Sequence, residues 1–170
     1  DGARGIENAT ARLNAFTKDA AVSTEILNQL RVEASKTPFA FGEMADAGAS
    51  LLPVANQMNA DLMDLVRTAE ILAASNPAEG LAGAAFALKE AASGDFTSIV
   101  ERFNLSRSAI QALKDEGVPN LEIVARAMSD AGLDMDLVSN MANTFDGRMS
   151  TLIDTFREVA IAFATPIFHV

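Results

Sequence analysis

Few side chains in this chain are placed to do chemistry. The one histidine, His169, has no partner motif beside it for a nucleophile–base pair or an imidazole metal site. Asp134 and Asp136 resemble the opening of a calcium loop. No acidic or amide residue followed by glycine comes next, and the chain reads Ser139-Asn140 instead, so Asp134 reads as a helix cap. Gly80 and Gly83 have no strand before them, as a dinucleotide loop requires. They sit inside a helical pattern and read as a close helix contact. A helical glycosidase needs a catalytic Glu in a cleft, often followed by Ser; the chain has no Glu-Ser pair, and Glu116 falls in the helix-ending "DEGVP". No enzyme activity, metal or cofactor is expected.

Composition sets the frame around these residues. The 170 residues suffice for one domain with its own core. With no Cys there is neither a disulfide framework nor a thiolate, and the redox compartment is unreadable. The net charge is −10, with Asp and Glu spread along the chain. Such a surface repels phosphate backbones, so nucleic-acid binding is not expected. Alanine supplies much of the hydrophobic 49%, and aromatic and β-branched clusters are scarce, which reads as helical. The start at Asp1 and the apolar "ATPIFHV" ending read as a piece of something longer. No basic start followed by an apolar run marks a signal peptide. "GLAGAAFAL" and "VAIAFATPIF" are both shorter than the roughly 20 residues that cross a bilayer, so membrane contact is expected only through sequence beyond residue 170.

The elements that must position these residues are short helices. Ile6, Leu13 and Phe16 lie at helical spacing in an opening helix ending before Ser23. "STEILNQLRVEASK" then puts Ile26, Leu27, Leu30 and Ala34 on one face. Thr37 is the expected cap of the next helix, with Pro38 in its first position, and Gly48 and Pro53 are expected to end that helix near Leu52. Leu62, Leu65, Val66, Ala69 and Leu72 form a stripe, with Arg67 and Glu70 pointing elsewhere. In "NPAE", Asn76 reads as cap, Pro77 as first turn and Glu79 as the returning half of a capping box. The helix after it is rich in small residues (Gly80, Gly83, Ala84, Ala85, Ala87), and Ser93-Gly94-Asp95 stops it. Helices follow at 95–103, 106–115, 119–131 and 134–143, and a last one begins near Asp146. No internal repeat and no alternating strand pattern is found. The methionines, Met44, Met58, Met63, Met128, Met135, Met141 and Met149, suit core gaps or surfaces that repack. The fold expected is an all-α bundle of roughly eight to ten short helices without a sheet.

The most patterned stretch is "ANTFDGRMSTLIDTFREVA", residues 142–160. Met149, Leu152, Ile153, Phe156, Val159, Ala160 and Phe163 recur three and four apart, a stripe that is either a core face or an oligomer seam. Thr144 is placed to cap this helix, and Gly147 lets a neighbouring backbone come near. Arg148 and Asp154 read as facing solvent or each other's neighbours.

This stretch resembles a signature of phage tail tape measure proteins, Thr-Phe-x-Gly-Arg-x-Ser-x-Leu-x-Asp, with Thr144, Phe145, Gly147, Arg148, Ser150, Leu152 and Asp154 in its positions. "EASKTPFAFGEMADAGASLL", "AFALKEAASGDFTSIVERFNLS" and "EIVARAM" resemble the same domain in order, more loosely. The family often has Gly after the paired leucines, where this chain has Pro53. The resemblance implies a structural protein that sets tail length, fills the tail tube lumen and leaves ahead of the DNA. It implies residence in the host cytoplasm during assembly and in the virion tail afterwards. Its implied partners are tail tube, tail tip or baseplate proteins and assembly chaperones, with room for a homo-oligomer such as a trimer. On this reading residues 1–170 are one helical domain of a longer tape measure protein. Residues 146–164 are then an amphipathic helix leading into a further apolar or coiled-coil region. The alternative is a membrane-active or pore-forming segment used during genome ejection, drawn from the apolar run after Val159.

Overall fold

Short polar side chains start helices at Asp19, Asp61, Ser106 and Asp134, and left-handed residues follow helices at Lys18, Asn59, Gly94, Gly117 and Gly132. The computed structural model describes residues 2–142, and among them it shows nine α-helices and no strand. The chain is all-α. The amphipathic helix expected at 146–164 lies outside the described residues.

Helix α1 (Gly2–Thr17) ends where Lys18 turns left-handed (φ 56°) and its N–H reaches the Asn14 carbonyl at 2.8 Å. Asp19 starts α2 (Ala20–Ser35) by accepting from the N–H groups of Ala21 and Val22 at 2.9 and 3.3 Å, donors that otherwise lack a partner inside the helix. Ser23, where the sequence pattern begins this helix, instead meets the Thr17 hydroxyl at 2.8 Å. Leu13 is buried but Phe16 is 41% exposed, so only part of the expected α1 stripe faces inward.

Thr37 and Pro38 do not begin the third helix. The Thr37 hydroxyl donates to the Ala34 carbonyl (3.3 Å) and accepts from Phe39 N–H (3.2 Å), which spends it on closing α2. Helix α3 (Phe41–Met58) starts instead with Glu43 accepting from Ala40 N–H at 3.2 Å. Nor do Gly48 and Pro53 end it. Pro53 sits inside α3, and the helix stops only at left-handed Asn59 (φ 52°), with Ala60 N–H bonded to the Ala55 carbonyl at 2.8 Å. The cost of a proline without an N–H is about 3 kcal/mol. Burial of Leu51, Val54 and Ala55 on both sides of it opposes that cost.

By its contacts the chain divides within α3 at Pro53 and again at Ser139. One unit holds the described residues 2–53 and 139–142, the other residues 54–138. In the first unit α1 packs on α2. Gly48 faces Leu30 so closely that a Cβ there would lie 2.5 Å from Leu30 Cδ1. Arg12 ties α1 to α3 with its guanidinium on Asp46 (2.6 Å) and the Ser50 hydroxyl (2.7 Å). Arg31 lies over the Phe41 ring at 3.8 Å.

The second unit is built on α5 (Gly80–Ala92), which packs against α4 (Leu62–Ser75), α6 (Thr97–Glu101) and α8 (Asn120–Asp130), while α7 (Arg107–Asp115) packs on α8. Leu81, Ala84, Ala85, Ala87, Leu88, Ala91 and Ala92 of α5 are buried; short side chains let neighbouring helices come close. Gly80 and Gly83 play no such part. Gly80 has a left-handed φ of 69° with nothing within 4 Å of a would-be Cβ, and Gly83 meets only Glu79 of the preceding turn. The "NPAE" start is also different. Residues 77–79 form a turn, and Asn76 closes α4, its N–H on the Leu72 carbonyl and its side-chain amide donating to Arg102 O at 2.7 Å. Glu70 is fully buried, because it lies four residues after Val66 and three before Ala73, on the inward stripe. Met44 and Met128 fill core gaps, whereas Met58 and Met135 are exposed. Left-handed Asn104, Gly117 and Gly132 separate the last helices, ending with α9 (Met135–Ala142). Asp134 accepts from Asp136 N–H at 2.9 Å, as a cap should.

Candidate functional site

A cleft between α6 and α7 brings charged and apolar side chains together. Its geometry begins at the end of α5. Gly94 (φ 100°) turns the chain, with Gly94 N–H on the Ala91 carbonyl (2.9 Å) and Asp95 N–H on the Glu90 carbonyl (3.0 Å). The Asp95 carboxylate then accepts from Thr97 N–H at 2.9 Å and organises the first turn of α6. Ser106 does the same for α7, its hydroxyl accepting from Ala109 N–H at 3.1 Å. On α7, Arg107, Ile110, Gln111 and Lys114 fall three, four and seven residues apart and share a face.

That face and α6 border an open cleft of about 180 Å³. Phe96, Val100 and Ile110 lie beneath it, Phe96 and Ile110 buried, so the surface that the cleft offers is mostly polar. Thr97, Arg107, Gln111 and Lys114 supply its exposed polar rim. The Lys114 ammonium sits 5.5 Å from the centre of the Phe96 ring, within reach of its negative face. Backbone and side-chain hydrogen bonds from Thr97 hold the Asp95 carboxyl below its ordinary 3.8, with the Lys114 charge adding to them. Gln111 donates to Asp115 at 2.9 Å. Nothing here pairs a nucleophile with a base.

Two other groupings are structural. Arg102 joins Glu79 at 3.5 Å and lies over the Phe86 ring at 5.2 Å, while its carbonyl holds Asn76. These contacts tie the α4–α5 turn to the end of α6 and leave Phe86 45% exposed. Glu25 is 3% exposed, and its Oε1 has no hydrogen-bond partner among the described residues. Among the described residues no three His, Cys, Asp or Glu side chains come together as metal ligands, and no helix is long and apolar enough to cross a membrane.

The residues singled out from the sequence stand elsewhere. Thr144, Phe145, Gly147, Arg148, Ser150, Leu152 and Asp154, the stripe residues Met149, Ile153, Phe156, Val159 and Phe163, and His169 all lie outside the described residues. Of the looser upstream blocks, residues 85–106 contain most of α5, all of α6 and the cap of α7, and so half of the cleft. The cleft itself was missed. Its available signals were Asp95-x-Thr97 and the seven-residue spacing of Arg107 and Lys114. Compared with known proteins, the chain matches no family model, no curated protein and no solved structure.

Proposed function

We propose that this chain is a helical module of a phage tail tape measure protein, acting in tail assembly through packing and partner contact. The observation that carries the reading is the motif Thr144-Phe145-x-Gly147-Arg148-x-Ser150-x-Leu152-x-Asp154. The proposed partners are tail tube, tail tip or baseplate proteins and assembly chaperones. Its proposed places are the host cytoplasm and then the tail tube lumen. Support also comes from the all-α fold with its short helices. A ruling segment is extended, about 1.5 Å per residue as helix. The helices of residues 54–138 instead pack on one another, so this segment is read as a module of the ruler and not its measuring stretch.

The test is an in-frame deletion of residues 77–131 from the whole protein, scored by electron micrographs and by mass spectrometry of purified tails. The polypeptide should be found in wild-type tails; its absence there would end the tape measure reading. The deletion removes α5 to α8 and uncovers Leu65, Val66 and Leu72 of α4. Loss of tails, or tails of nearly unchanged length, is expected. Viable tails shorter by about 80 Å, the helical length of the deleted segment, would overturn the reading of residues 54–138 as a folded module.

A further inference from the structure

We draw no further inference here: the strongest candidate, the exposed patch on α5 where Phe86 lies beneath the Arg102 guanidinium, carries nothing because nothing in the structure shows what covers it.

Discussion

At the scale of single residues, two glycines in similar helices should respond in opposite ways to the same substitution. Gly48→Ala gains about 1 kcal/mol of helix propensity but drives a Cβ to 2.5 Å from Leu30 Cδ1, and Leu30 is fully buried. Overpacking costs about 1–3 kcal/mol, so a net loss on the order of 1 kcal/mol is expected in urea unfolding. Gly83→Ala puts a Cβ 3.1 Å from Glu79 Cβ and 3.2 Å from its Oε1, so Glu79, just before the first turn of α5, has only a few tenths of an ångström to give. There the propensity wins, and the urea midpoint should rise. Asp95 supplies a pH prediction. Its carboxyl is depressed in the folded chain, so its contribution to stability is present above the ordinary 3.8 and fades as pH falls through the lower folded value. Thr97→Val removes the side-chain hydrogen bond and keeps the backbone one. Carboxyl-carbon NMR should then show Asp95 titrating closer to 3.8, and a titration curve that does not move would place the cause elsewhere.

At the scale of elements, Pro53 is the clearest lever. The proline is exposed inside α3 and has no N–H for the Ala49 carbonyl. Pro53→Ala should restore that bond and raise stability by at least about 1 kcal/mol; a loss would mean that the ring itself packs. The same helix shows why part of the fold was legible and part was not. Leu30 and Ala34, Leu65 to Leu72, and the stops at Asn104, Gly117 and Gly132 were readable, because three-and-four spacing and left-handed residues are local signals. Pro53 and Asn76 misled because their fates are decided at a distance. Burial carries α3 past a breaker, and the Arg102 carbonyl, 26 residues away in sequence, draws the Asn76 side chain from the capping role. Glu70 misled because a charge was weighed above its register. The cleft was illegible for a related reason: Asp95 and Lys114 are nineteen positions apart, and only the return of α7 toward α6 brings them together.

At the scale of the whole molecule, the charge balance makes a plain prediction. With a net charge of −10, the chain should not retard duplex DNA in a gel at physiological salt, since counterion release needs clustered cations. Micromolar binding that falls steeply with salt would contradict this. The alanine-lined interior has a consequence of another kind. Ala45, Ala47 and Ala49 of α3 and Ala84, Ala87 and Ala91 of α5 are all but inaccessible to solvent. Alanine gives up no rotamer freedom on folding, and its smallness sets how near two backbones lie. A saturation mutagenesis map of an ordinary core is darkest at its large residues, where truncation opens holes. Here the darkest columns should stand at the alanines, where every replacement but glycine or serine is too big. Over evolutionary time such an interior drifts little in volume, and its freedom to vary is pushed outward to the acidic surface.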